Sequence, residues 1–275
     1  MKFALIGDIH GYWNERDVEY FNSTDYDFLF FTGDLLGSPF FGRPNFLNLK
    51  KRAYLIPGNW DGTSITGIIG EVLQSQTLIR MGSFGQSKRE ERLLKHTKPL
   101  TLLAYSSVIL SKELDLSLIV GRPHAMGGGI SFLPSLRKTF SISSVDDSIN
   151  KYKALIQNTK ERNLFFLSHN GPLGLGKERN SMYGADFKKM GGDFGDEDLK
   201  VAIDYAKSIG KKVPAVLSGH MHHKIGKNKE RETLHYKGGT FYVNGAKVPR
   251  IQEGKHFHTK IEWDGGGATV IPIWV

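Results

Sequence analysis

The 275-residue sequence contains no cysteine. That excludes disulfides, thiolate zinc sites and thiol nucleophiles, so any metal must be held by nitrogen and oxygen. Also missing is an apolar run long enough to span a bilayer. The chain opens MKFALIGDIH, without the charged, apolar and small-residue order of a leader. A cytoplasmic protein with no membrane partner is the expectation. Acidic residues are in the minority, 28 Asp and Glu against 37 Lys and Arg, giving a net charge of +9. This balance favours anionic partners. The basic residues are spread along the chain, at Lys50-Lys51-Arg52, Lys88-Arg89, Arg92, Lys95 and the 224–237 stretch, rather than gathered into a tail. Nucleic acid is therefore the minority expectation as a partner.

Short β-rich runs alternate with helical patterns. Strands are expected at Lys2–Ile6, Asp27–Thr32, Ala53–Ile56, Leu116–Val120, Leu164–Leu167, Val213–Leu217 and Thr240–Val243. Ser144 and Asp147 form a capping pattern ahead of Val145, Ile149, Tyr152 and Ile156 on one helical face. Asp196 stands as the cap of a second helix that Gly210 stops, and Asn14 with Asp17 marks a third. The first three strands with intervening helices predict a βαβαβ unit. Thr240–Val243, His256–Trp263 and Ala268–Trp274 read as antiparallel strands. No repeat or linker divides the chain, so residues 1–275 are expected to form a single α/β domain. The Gly-rich stretches 121–143 and 171–197 are long for simple connections, and such loops are usually functional or disordered.

The polar residues stand in an unusual place. FALIGDIHG puts Asp8 and His10 after the first strand, FLFFTGDLLG puts Asp34 after the second, and YLIPGNWDG puts Asn59 after the third. LFFLSHNGP places His169, and AVLSGHMHH places His220 and His222, after later strands. Ligands of open α/β sheets collect outside the carboxyl ends of strands, so these oxygen and nitrogen donors are aimed at one rim. Glycine at 7, 33, 58 and 219 is read as the residue that lets the backbone turn beside each donor. In an extended segment the spacing of two would let Asp8 with His10, and His220 with His222, face one side. Taken singly, a buried histidine is more often a hydrogen-bonded core group than a ligand; the five placements together carry the argument.

The motifs D-x-H, G-D, G-N-x-[DE], S-H and G-H-x-H, running from Asp8 to His222, resemble the calcineurin-like metallophosphoesterase superfamily. The resemblance implies a four-layer αββα sandwich with two mixed β-sheets and a dinuclear metal site at the carboxyl ends of the strands. It implies that Asp8, His10 and His222 hold one ion, that Asn59, His169 and His220 hold a second, and that Asp34 bridges them. Two divalent ions would clamp the attacking and leaving oxygens of an in-line displacement, with a bridging hydroxide as nucleophile. His and carboxylate donors suit Mn, Fe, Zn or Co without choosing among them.

The expected function is a metal-dependent phosphoester hydrolase, a phosphodiesterase acting on a small phosphate ester or nucleotide. A nuclease on single-stranded nucleic acid and a metal-loaded scaffold without turnover are the alternatives. Protein phosphatases of the superfamily carry GD-x-x-DRG and GNHE, whereas GDLLGSP and GNWDG stand here, which argues against that branch. Most relatives have histidine after the asparagine, thought to protonate the leaving oxygen or stabilise its charge; here it is Trp60. An indole cannot deliver that proton. Trp60 is open to three readings: packing in place of the imidazole, a stacking surface for substrate, or a site that only binds. His124 and His223 are the replacement acids to consider, alongside Asn59 as a catalytic residue, although a structural histidine is the commoner outcome for each. Asp61 is expected to orient a neighbouring group. Arg122, Lys177 and Arg179, near predicted strand ends, are candidate phosphate contacts beside Trp60. GPLGLGKE at 171–178 falls short of a P-loop, and Asp193-Phe194-Gly195 lacks the rest of a kinase.

Overall fold

The computed structural model describes residues 1–36, 44–128, 133–227 and 229–275. Its elements begin β1 (Lys2–Ile6), α1 (Glu15–Ser23), β2 (Phe28–Phe31) and β3 (Ala53–Leu55). Helices α2 (Asn59–Gly62), α3 (Ile65–Val72), α4 (Gln76–Gly82) and α5 (Gln86–His96) follow. Next come β4 (Thr101–Leu102), β5 (Ser106–Ser111), β6 (Leu116–Val120), α6 (Pro134–Phe140), α7 (Val145–Asn158), β7 (Asn163–Leu167), α8 (Glu197–Ser208) and β8 (Lys212–Ser218). The remainder is strand: β9 (Lys224–Ile225), β10 (Lys229–Glu230), β11 (Leu234–Lys237), β12 (Thr240–Asn244), β13 (Ile251–Gln252), β14 (Lys255–Trp263) and β15 (Ala268–Trp274).

These strands build two mixed sheets. The first has the order β13-β14-β1-β2-β3-β4, with β15 on β14. Its members from β1 to β4 are parallel, and β14 runs against β1. The second has the order β11-β12-β8-β7-β6-β5, parallel from β12 to β6 and antiparallel at both edges.

Side chains alternate across each strand. Phe3, Leu5, Phe28 and Phe30 of the first sheet meet Leu116, Leu118, Phe165, Leu167 and Leu217 of the second in a core between the sheets. Ala4, Ile6, Leu29 and Phe31 point the other way, onto Val18 and Phe21 of α1. Ile119, Phe166 and Val216 pack on the far side against Tyr152 and Ile156 of α7 and Leu199, Ala202 and Ile203 of α8. The result is the four-layer αββα sandwich. Among the described residues no helix is long and apolar enough to cross a membrane.

Several local expectations need correction. Only α1 separates the first three strands: between β2 and β3 the described residues form no helix, with 37–43 lying outside the description. Strand β12 is antiparallel to β11 but parallel to β8, because β11 makes the return pass between them. The Ser144 cap forms, its hydroxyl accepting from the Asp147 N–H at 3.1 Å. Asp17 likewise accepts from the Asn14 N–H at 3.0 Å. Asp196 precedes α8 but makes no side-chain cap bond, because Arg122 holds its carboxylate at 2.8 Å.

The segment after β3 is a helical insertion whose packing depends on glycine. A Cβ on Gly82 would sit 2.2 Å from the Gly67 nitrogen, and one on Gly70 would sit 2.7 Å from the Ile79 nitrogen. The backbones of α3 and α4 therefore touch, and Glu71 of α3 reaches Asn59, just beyond β3, at 2.7 Å.

Candidate metal centre

Asp8 and His10 follow β1, Asp34 follows β2, and Asn59 opens α2 just after β3. His169 follows β7, and His220 and His222 follow β8, so both sheets contribute to one rim. The sharp turns are made largely by the polar residues themselves. Asp8, His10, Asp34 and His220 have φ of 46°, 45°, 51° and 68°, left-handed values that are uncommon for residues other than glycine.

Of the glycines read as turn-makers, Gly33 alone has positive φ, at 98°. Gly58 and Gly219 are needed for space instead. A Cβ at Gly58 would lie 2.1 Å from Asp34 Oδ1, and one at Gly219 would lie 2.4 Å from Asp8 Oδ1.

Two clusters result. Asp8, His10 and His222 bring one donor atom each within 4.8 Å of one another, as do Asp34, His169 and His220. The pair His220 and His222 is thus divided between clusters rather than facing one side. His10 Nε2 lies 3.1 Å from His222 Nε2, and His222 Nε2 lies 3.4 Å from Asp8 Oδ2. Asn59 joins the second cluster, its Oδ1 2.8 Å from His169 Nε2. Asp34 Oδ2 stands between the clusters, 3.8 Å from His10 Nε2 and 3.7 Å from His169 Nε2.

The electrostatics suit cations. Burial lowers the pKa of His10 to about 4, against the opposing pull of Asp8. Burial and neighbouring His220 lower that of His169 to about 3. Both imidazoles are therefore neutral near pH 7 and keep a lone pair for a metal. His169 donates through Nδ1 to the Thr32 carbonyl, which leaves Nε2 facing the cluster. Burial, with Asp8 and Asp61 nearby, raises the Asp34 carboxyl well above its ordinary range. Burial also works against charge on Asp8, but the pull of nearby His222, His169 and His10 outweighs it, and the net shift is downward. Asp8 Oδ2 is buried and has no hydrogen-bond partner. A buried acceptor left over among imidazole nitrogens fits a divalent ion, because a cation is what that donor set lacks.

Comparison with known proteins agrees. The family model of calcineurin-like phosphoesterases matches residues 1–224. The chain belongs to the calcineurin-like phosphoesterase family. A dimetal phosphatase from Danio rerio superposes with a TM-score of 0.50 at 10% identity, covering 98% of each chain. The structure of PhoD gives a TM-score of 0.51 at 10% identity over 98% of this chain and 68% of its own. No curated protein sequence matches the chain. As a calcineurin-like phosphoesterase it is a hydrolase of phosphoester bonds that depends on divalent metal ions.

Where this calcineurin-like phosphoesterase has Trp60, the backbone N–H donates to Asp34 Oδ1 at 2.9 Å. The indole stands edge-on to His10, ring centres 5.7 Å apart. It also lines a cavity of about 610 Å³ with Leu36, Ile65, Lys88, Arg89 and Arg92. Asp61, one residue on, accepts from the backbone N–H groups of Asp34, Leu35, Leu36 and Gly58 at 2.9 to 3.3 Å. It orients backbone, joining the turn after β2 to the turn after β3.

The remaining candidates are engaged elsewhere. His124 Nδ1 bonds the Gly58 carbonyl at 2.7 Å and its Nε2 lies 3.7 Å from Glu90, so it buttresses the Asn59 turn from behind. His223 donates to the Asn244 carbonyl at 2.8 Å and packs on Phe257. Arg122 is 4% exposed and bound to Asp196 and Asp198 at 2.8 and 2.9 Å. Arg179 bonds the Asp186 carbonyl on the surface, and Lys177 is exposed. These hydrogen bonds and ion pairs of His124, His223, Arg122 and Arg179 run to residues outside the two clusters.

Two residues near the clusters were missed. Buried Arg231 donates to the His222 carbonyl at 2.7 Å and to Asp186 at 2.9 Å, tying the 171–195 loop to the end of β8. Glu71, on α3, contacts both Asn59 and His220. The signal for Glu71 was a lone carboxylate in the otherwise uncharged helix ITGIIGEV. Arg231 carries no comparable signal in its basic stretch.

Proposed function

We propose that the chain hydrolyses phosphodiesters at a two-metal centre, with Asp8, His10 and His222 as the holders of one ion and Asn59, His169 and His220 as the holders of the other. Asp34 is the carboxylate shared between them. The observation that carries this reading is the position of Asp34 Oδ2, less than 4 Å from an imidazole of each cluster. Bound divalent ions would activate water near neutral pH and offset the charge that gathers on phosphate oxygens. Manganese, iron, zinc and cobalt are all compatible with these donors.

The protein's own residues shape what can react. The Asp61 clamp fixes the turns that carry Asp34 and Asn59, so their donor atoms need little rearrangement when substrate arrives. Trp60 leaves the rim without the imidazole that would protonate a departing alkoxide, and His124 and His223 each have one ring nitrogen committed to a backbone carbonyl. Substrates whose leaving oxygen is already a weak base are therefore favoured. The cavity beside Trp60 supports a diester: its apolar wall can take a second ester group, and Lys88, Arg89 and Arg92 lie where an anionic substrate would pass.

Bis-p-nitrophenyl phosphate and p-nitrophenyl phosphate, each with and without chelator, test the proposal on manganese-loaded protein. Chelator-sensitive turnover that prefers the diester is expected. Preference for the monoester would make the chain a phosphomonoesterase, and metal binding without turnover of either would leave a scaffold.

A further inference from the structure

We propose that Glu71 is a positioning residue that turns Asn59 and His220 so that the correct atom of each faces the second ion. The inference rests on the two-metal reading above and adds to it a residue outside the family's motifs.

Asn59 and His220 share a difficulty: each has two chemically different ends. An asparagine amide can present its oxygen or its nitrogen, and only the oxygen can bind a metal. A histidine can present either ring nitrogen, and the one holding the proton cannot. Glu71 resolves both. Its Oε2 accepts from Asn59 Nδ2 at 2.7 Å, which leaves Asn59 Oδ1 on the side of His169 Nε2, 2.8 Å away. Its Oε1 lies 2.9 Å from His220 Nε2. A carboxylate can only accept here, so Nε2 carries the proton and Nδ1 keeps the lone pair. His220 is held at its backbone as well, its N–H donating to Asp8 Oδ1 at 3.0 Å.

The surroundings show that Glu71 reaches this place by construction. It belongs to neither cluster of mutually close donors, so it stands behind the site rather than in it. Its residue is 7% exposed, on a helix whose other members are uncharged. That helix packs on its neighbours without side chains between, a Cβ at Gly67 meeting Thr63 and those at Gly70 and Gly82 meeting backbone across the α3–α4 contact. An isolated buried carboxylate is costly unless its hydrogen bonds are made, and both of its oxygens are engaged by groups of the second cluster.

The test is metal content and affinity, independent of turnover. Wild-type protein titrated with Mn²⁺ should take up two ions, and Glu71→Ala should hold one as before while the other weakens by about ten- to a hundred-fold. His169→Ala serves as the reference for loss of the second ion and His222→Ala for loss of the first; Glu71→Ala should weaken the same ion that His169→Ala loses. Glu71→Gln keeps the size of the side chain and one acceptor oxygen, so it should weaken the same ion by less. It decides the matter if the alanine variant does not fold. Two tightly bound ions in both Glu71 variants would overturn the proposal, as would equal weakening of both ions, the mark of a merely structural role. Wild-type protein that never binds a second ion would overturn the two-metal reading itself, a different result from a wild type with two ions and variants that keep them.

Discussion

Asp61 receives the backbone N–H of Asp34 at 2.9 Å, and the same carboxylate receives those of Leu35, Leu36 and Gly58. One side chain thus joins two sheet-end turns that are more than twenty residues apart in sequence. Asp61→Ala would strand buried donors, each costing about 1–3 kcal/mol before any water enters. A loss of about 4 kcal/mol is expected in urea unfolding of the chelator-treated protein, with Asp61→Asn losing less. A loss below about 1 kcal/mol would mean that the turns hold themselves.

Arg122 was a candidate phosphate contact, and its guanidinium lies instead between Asp196 and Asp198. Burial opposes its charge, but the two carboxylates outweigh burial and shift its pKa upward. Arg122→Met would leave two buried carboxylates without their cation, at a cost of about 3–5 kcal/mol. Stability should fall by that amount, with KM unchanged in whatever protein remains folded. A raised KM at full stability would return Arg122 to the substrate.

His223 and His258 make the fold sensitive to acid. Burial lowers the pKa of His223 to about 4; burial, with the charge of Arg250, lowers that of His258 to about 3. Both are neutral in the folded chain, whereas the unfolded chain takes up protons below about 6.5. Their contribution is therefore whole above pH 6.5 and is lost as pH falls from there toward 4, by on the order of 3 kcal/mol for each group. Urea unfolding of metal-free protein across this window should show that slope, and His258→Gln should flatten it. Stability that rises on acidification would contradict the assignment.

Trp60 separates a missing acid from simple packing. If the leaving oxygen goes unassisted, Trp60→His should raise turnover of alkyl esters by at least about tenfold while leaving nitrophenyl esters nearly unchanged. Comparing kcat for the two classes decides it. Equal effects would make the indole a filler against His10, its neighbour at 5.7 Å.

What the sequence made legible follows from how buried parallel strands are written. β1, β2, β6, β7 and β8 are near-continuous apolar runs, and each ends in glycine or a polar residue, so element and rim could be read together. The same local reading fails where structure depends on partners far along the chain. Arg122 looked available because Asp196 and Asp198, 74 and 76 residues on, leave no trace near it. Gly58 and Gly219 looked like turn-makers, yet their role is the room they leave for Asp34 and Asp8, which only the assembled rim defines. Glu71 sat in a stretch whose small and apolar residues gave no strand and no motif, and its meaning depends on where α3 lands.

The central claim is that Asp34 stands between two metal ions. A crystal grown with Mn²⁺ and measured for anomalous scattering tests it most directly. Two peaks should appear, one among Asp8, His10 and His222 and one among Asn59, His169 and His220, with the Asp34 carboxylate touching both. A single peak, or two peaks with Asp34 bound to neither, would contradict the account.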